Sequence, residues 1–341
     1  MRPHFLRFRL AFVCLLFGCL LTACSEQEGM RRTYVLTTGT TGGTFYPVGV
    51  ALSTLVSAQE EAGFSLTAIS SAGSMENIKL LRDNQAQFGL ILAIFAAWAY
   101  DGEGPIRNPQ RHIRSISAMW PNVEHFVLRS DLVTNGTVSD LANLRGERYS
   151  IGMRNSGAEQ TGLYIFDALG IDYNEDLSIA YMGYGPSANA LQDGNIVGMN
   201  VPAGPPVTAI TRAYALLGER MTILNFSEEE INAVNAQFPL WNLYQMNPGT
   251  YPLQEKPITT AYSPNVFVVR DDVSEDIVYN LTKLLWDNLA TLQEIHSATK
   301  AMALEEALKG IPVPLHPGAL RYYKEQGVPI PEHLLGSSSN R

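Results

Sequence analysis

The stretch Thr33–Val56, TYVLTTGTTGGTFYPVGVALSTLV, decides how this chain reads. It opens on Tyr34-Val35-Leu36, an apolar run of strand type. Gly39, Gly42 and Gly43 follow among threonines, and then Phe45, Val48, Leu52, Leu55 and Val56 recur at helical spacing. The order is strand, Gly/Thr loop, helix. The first turn of a helix leaves backbone N–H groups unpaired and carries about half a positive charge. Glycines let a ligand approach that backbone, and threonine hydroxyls add donors, so the stretch reads as an anion cradle. Taken alone the signal is weak, and an ordinary strand-to-helix turn is the commoner meaning of such a stretch. No lysine follows the glycines and the G-x-G-x-x-G spacing is absent, which excludes a P-loop and a dinucleotide fingerprint.

The same grammar recurs downstream. Phe64–Ser70 alternates like a strand, Ser71-Ala72-Gly73-Ser74 breaks it, and Met75–Asn84 is an amphipathic helix. Phe88–Leu92 reads as a buried strand, Ala93–Tyr100 as a helix and Ile113–Trp120 as another strand. Tyr149–Met153 is a strand, followed by Arg154-Asn155-Ser156-Gly157 and a helix over Ala158–Leu169. Alternation of this kind predicts an α/β fold with a largely parallel sheet. The proline-bearing segments Leu240–Gln254 and Ile258–Arg270 read as strands that return the chain to its first part. Ile277, Leu281, Leu284, Leu285, Leu292 and Ile295 form one long apolar stripe, a core-facing helical surface.

Composition narrows the class. The chain has 341 residues, 46% hydrophobic and 17% charged, as expected for one large or two medium globular domains. Arg2, Arg7 and Arg9 precede an apolar run, Leu10–Leu21, that is too short to span a bilayer and reads as a secretory signal. It ends in Leu21-Thr22-Ala23-Cys24, which looks like the lipobox of a bacterial lipoprotein. Cys24 is then the lipidated first residue of an exported protein, and Ser25–Gly29 is a polar tether. Cys14, Cys19 and Cys24 are the only cysteines, so the exported body has no thiol for a disulfide, a metal site or a nucleophile. Cleavage before Cys24 removes three arginines and no acid, taking the formal net charge from −9 to about −12. Such a chain is a poor match for nucleic acid. An anionic ligand would be held by local dipoles.

Three loops share one design: Thr41-Gly42-Gly43-Thr44, Ser71-Ala72-Gly73-Ser74 and Asn155-Ser156-Gly157-Ala158. Each follows a strand and opens a helix. In open α/β sheets, ligands sit beyond the carboxyl ends of the strands. Three helix starts gathered there would hold one or two carboxylates. Tyr46 and Asn77 are candidate donors one turn into the first two helices. Arg154 is a candidate charged partner or a plain surface arginine. Glu159 caps the third helix or pairs with Arg154. Catalytic readings are thin. No H-e-x-x-H pair or G-x-S-x-G elbow occurs, which argues against zinc and against a hydrolase elbow. Ser74 or Ser156 with His125 is the one serine-hydrolase arrangement the chain offers.

The residues carry a family resemblance. LTTGTTGGTFYPVG (Leu36–Gly49), SSAGSMENI (Ser70–Ile78) and GIPVPLHPGALRYYKEQG (Gly310–Gly327), behind a lipoprotein-type signal, resemble the TAXI family of solute receptors of TRAP transporters. The similarity covers nearly all of the chain after Arg32. It implies a type II periplasmic-binding-protein fold, two α/β lobes with a ligand closed between them. It implies a non-enzymatic, cofactor-free receptor that delivers a glutamate-like ligand or a dicarboxylate such as 2-oxoglutarate to a sodium-driven membrane permease. Carried over by position, the family's ligand loops fall on Thr41–Tyr46, Ser71–Asn77 and Ser156–Glu159.

This chain departs from the pattern at Ala93-Ile94-Phe95-Ala96, where the family is polar. It departs again at Asn155-Ser156-Gly157-Ala158, which loses a hydroxyl, and at Gly198-Met199-Asn200, which lacks an acid. These changes favour a more apolar or keto carboxylate over an amino acid. The expected organisation is a signal over 1–23, a tether over 24–32, a first lobe from 33–122, a second over 123–250, a return to the first over 251–335 and a disordered tail over 336–341. An ABC-type anion receptor and a sensor lobe of a membrane kinase are the alternatives that share the site.

Overall fold

The computed structural model describes residues 31–59, 63–236 and 238–336. The expected signal, the lipidation site Cys24, most of the tether and the last five residues of the tail lie outside the described residues. In chain order the elements begin β1 (Arg32–Thr37), α1 (Phe45–Ala58), β2 (Phe64–Ile69), α2 (Ser74–Arg82), β3 (Phe88–Leu92), α3 (Ala93–Asp101) and β4 (Ile113–Val123). They continue β5 (Phe126–Arg129), β6 (Glu147–Ser150), α4 (Gly157–Ala168), β7 (Leu177–Ala180), α5 (Tyr184–Gln192), β8 (Gly198–Asn200), α6 (Thr208–Leu217), β9 (Met221–Ile223) and α7 (Glu228–Asn235). The last are β10 (Asn242–Met246), β11 (Ile258–Arg270), α8 (Glu275–Asp287), α9 (Leu289–Ile295) and α10 (Pro317–Glu325).

The strands form two sheets, ordered β10-β11-β3-β1-β2 with β4 on β11, and β7-β6-β8-β5-β9. Each is the centre of a lobe with its own apolar core. The first gathers Leu36, Phe88, Leu90 and Phe267, and β3 is buried at every position, as its unbroken apolar run FGLIL demands. The second holds Phe126, Tyr149, Ile165 and Phe166 on one face and Val127, Met199 and Ile210 on the other. Tyr251 and Ile258 also pack there, so this core reaches past residue 250.

The sheets are mixed where a largely parallel one was expected. β1 pairs β3, and β6 pairs β7 and β8, in parallel, but β11 runs antiparallel to β3, β4 and β10, and β5 antiparallel to β8 and β9. The antiparallel members come from the chain passing between lobes. β4 leaves the first lobe and β11 returns to it, side by side, with Val123 in register with Tyr262. The expected long C-terminal stripe is broken at Asn288 into α8 and α9.

Candidate functional site

The loops after β1, β2 and β6 all end on helix starts, and the three starts meet. Gly43, Thr44, Gly73, Ser74, Gly157 and Ala158 line one cavity between the lobes. The room left in it for the centre of a water molecule is about 40 Å³. One buried water needs roughly 10–15 Å³ on that measure, so the cavity suits a few waters or one compact small molecule. Among the described residues that line it there is no acid and no basic side chain.

Local sequence explains the close approach. Gly73 has φ 113° and ψ −153°, a conformation open to glycine, and it turns the chain from β2 into α2. Gly157 opens α4 against the other lobe, and a Cβ there would stand 3.0 Å from the Ser74 hydroxyl and 3.2 Å from a Leu92 methyl. Ser74 is buried, and its oxygen accepts the Leu92 N–H at 3.1 Å, which ties the start of α2 to the end of β3 and leaves its O–H to donate. Thr44 is buried as well and donates its hydroxyl to the Gly204 carbonyl, in the segment after β8.

The other expected site residues fall elsewhere. Thr41, Gly42 and Ser71 line the adjoining mouth of the cleft. Tyr46 does not line the cavity, because the helical turn puts the neighbouring Phe45 there instead. Asn77 is fully buried with every hydrogen-bonding position used. Its amide donates to the Thr38 and Leu90 carbonyls at 2.6 and 2.7 Å, and its oxygen accepts from Thr37 and Ser71 hydroxyls, both at 2.6 Å. It is a strut between β1, β3 and the β2–α2 loop, with nothing left for a ligand.

The third loop is likewise mostly internal. Ser156 caps α4 by accepting the Glu159 N–H at 3.0 Å, and the Glu159 carboxylate accepts the Asn155 N–H at 2.5 Å. Asn155 takes a left-handed turn, φ 59°. Arg154 is exposed and stacks on the Tyr181 ring at 3.7 Å, facing an open groove with Lys79 and Arg107. Only Gly157 and Ala158 of this loop reach the cavity.

The serine-hydrolase arrangement is not assembled. His125 is buried, its Nδ1 lies 2.9 Å from the Val123 and Val201 carbonyls, and its Nε2 lies 2.7 Å from the Tyr251 hydroxyl. Nδ1 therefore carries the proton and Nε2 accepts from Tyr251, leaving neither nitrogen for Ser74 or Ser156. Burial holds its pKa down to about 4.

Residues that the sequence reading missed complete the wall. Tyr184, at the start of α5, and Asn122, near the end of β4, both line the cavity. Gly183-Tyr184-Gly185-Pro186 follows β7 and opens α5, a fourth copy of the strand, small-residue loop and helix, so the rule already in use would have found it. Deeper in the second lobe, Glu124 is fully buried. Desolvation pushes its carboxyl up to about 8, with Asn200 and Thr161 as polar neighbours that moderate the rise. Neither of its oxygens makes a geometrically good hydrogen bond.

The model of the NMT1-like family matches residues 36–327 of this chain. Among solved structures, the periplasmic binding protein BugD is similar at a TM-score of 0.53 and 15% identity, over 88% of this chain and 95% of that one. PhnD1 of Prochlorococcus marinus, in complex with methylphosphonate, is similar at 0.50 and 12%, over 79% and 90%. The shared feature is the fold, that of the type II periplasmic binding proteins, with two lobes. No helix among the described residues is long and apolar enough to cross a membrane.

Proposed function

This chain belongs to the NMT1-like family, and from that premise we propose that it is an extracytoplasmic solute receptor that binds a small carboxylate between its lobes. One observation carries the reading. Three helix starts, with the free O–H of Ser74, share a cavity whose described lining has no charged side chain. Backbone N–H dipoles at helix starts stabilise an anion there, which suits a chain of net charge −9. Release and capture follow from opening and closing about β4 and β11.

The receptor hands its ligand to a membrane permease, which the TAXI-like motifs suggest is of TRAP type, and it is anchored by a lipid on Cys24. An ABC-type system for another compact anion is the second reading. The small cavity favours keeping it, since PhnD1, of the same fold, holds methylphosphonate.

A thermal-shift screen of ligand-stripped protein tests both. Acetate, propionate, pyruvate, lactate, glutamate, 2-oxoglutarate and methylphosphonate are the probes. A ligand at a hundred times its Kd raises stability by about 2.7 kcal/mol, well within detection. Stabilisation by a short carboxylate is expected. Stabilisation by methylphosphonate alone moves the assignment to the second reading, and no shift with any probe removes the receptor assignment.

A further inference from the structure

The floor between the lobes is built from the two crossing strands, and it carries buried polar side chains. On β4, Asn122 is in register with Ser263 of β11, and Asn265 lies two residues further along β11. All three are at least nine-tenths buried, with relative exposures of 2%, 0% and 0%. The Asn122 Nδ2, the Ser263 Oγ and the Asn265 Oδ1 have no hydrogen-bond partner. The Asn265 amide is oriented by donating its Nδ2 to the Trp120 carbonyl at 2.9 Å, so its oxygen is the free end. Buried polar groups in folded proteins are nearly always paired, and each one left alone costs about 1–3 kcal/mol. Other buried side-chain atoms without a partner, such as those of Ser53, Tyr149 and Trp241, lie away from the cavity, so what singles out a group here is its place in the cavity wall. Asn122 is the member that lines the ligand cavity, and the Thr40 hydroxyl, also unpartnered, lines it with Asn122.

We propose that Asn122 is the specificity-determining residue of this site, reading an oxygen on the carbon next to the ligand carboxylate, and that the ligand class is short 2-oxo or 2-hydroxy monocarboxylates. This rests on the receptor reading above. Size sets the first limit: with about 40 Å³ of room, a second polar group on the ligand must stand within an atom or two of the carboxylate. Charge sets the second. With no basic side chain in the described wall, a second carboxylate has no partner, and with no acid an ammonium group has none either. Hydrogen-bonding type sets the third. A side-chain amide offers a donor to a ketone oxygen, and by turning over it offers an acceptor to a hydroxyl. Neutral oxygen substituents satisfy it, whereas a plain aliphatic acid leaves it buried and unpaired.

The test compares affinities of pyruvate, L-lactate, propionate and L-alanine for the ligand-stripped wild type and for Asn122→Leu, by titration calorimetry. A site built to hydrogen-bond a substrate group discriminates strongly against an analogue that lacks it. The expected result is that pyruvate or lactate binds wild type at least tenfold more tightly than propionate and alanine. Asn122→Leu should bring the favoured acid down to the affinity of propionate. Equal affinity of wild type for propionate and pyruvate overturns the inference and leaves the receptor reading standing, and so does a preference that Asn122→Leu retains. Failure of every carboxylate to bind overturns both. Should Asn122→Leu not fold, the wild-type ratio of pyruvate to propionate decides alone.

Discussion

The hydroxyl of Thr44 donates to the carbonyl oxygen of Gly204 at 2.7 Å, joining the first turn of α1 to the segment that follows β8. The bond spans the two lobes at the cavity wall, and Thr44 is 1% exposed. It joins the lobes through protein groups alone. A neutral hydrogen bond contributes about 1 kcal/mol net, or about a fivefold change in an equilibrium.

Thr44→Val keeps the shape of the side chain and removes the donor. The open-to-closed ratio of the ligand-free protein should rise about fivefold, seen by small-angle X-ray scattering as a larger radius of gyration, with the melting temperature little changed. An unchanged scattering profile would show that the lobes are held shut by other contacts.

Asn77→Ala tests the strut. Four hydrogen bonds disappear, the Leu90 carbonyl loses its side-chain donor, and the Thr38 carbonyl keeps only the Ser71 hydroxyl at 3.2 Å. Breaking a buried network of this kind costs on the order of 2–4 kcal/mol. Denaturant unfolding should register that loss in full. A normal unfolding midpoint together with weaker pyruvate binding would instead make Asn77 a ligand residue.

Glu124 and His125 are neighbours with opposed effects on stability. An ordinary glutamate titrates near 4.5, and Glu124 is pushed up to about 8 by burial. Between those values the folded protein keeps a proton that the unfolded chain releases, so stability falls as pH rises from about 4.5 to about 8. His125 is held down to about 4 from 6.5, so the unfolded chain takes up a proton first as pH drops. Its contribution is present above 6.5 and is lost as pH falls towards 4. The two slopes oppose each other below about 6.5, and only that of Glu124 continues above it. The stability gained by Glu124→Gln should therefore grow by about 2 kcal/mol between pH 6.5 and 8. A gain that is the same at both pH values would mean that Glu124 is ionised in the folded protein throughout.

Much of this architecture was readable in the sequence because it rests on local rules. The switch from strand to helical period marks β1, β2, β6 and the helices after them, and glycine with small hydroxyl residues marks the loops between. Phase and direction were not readable. Spacing alone could not say whether Phe45 or Tyr46 turns to the ligand, since adjacent residues on a helix point about 100° apart. Asn77 reads as a polar helix residue, and only the packing of β1, β3 and the β2–α2 loop turns it into a strut. Asn122 stands just beyond the apolar run Ile113–Trp120, and its place in the cavity depends on β11, which pairs with it from 141 residues further along the chain (Asn122 with Ser263). The antiparallel course of β11 is set by the return crossing, a property of the whole topology.

That return crossing has a further consequence for manipulating the protein. Val123 and Tyr262 are register partners, so the chain enters and leaves the second lobe through two neighbouring strands about 5 Å apart. The intervening residues form an insert with adjacent ends, from which β10 reaches back to pair with β11 in the first sheet. Such an insert can be transplanted as a cassette between relatives, exchanging one jaw while the other keeps its own sequence, provided the ribbon of β4 and β11 travels with matching register.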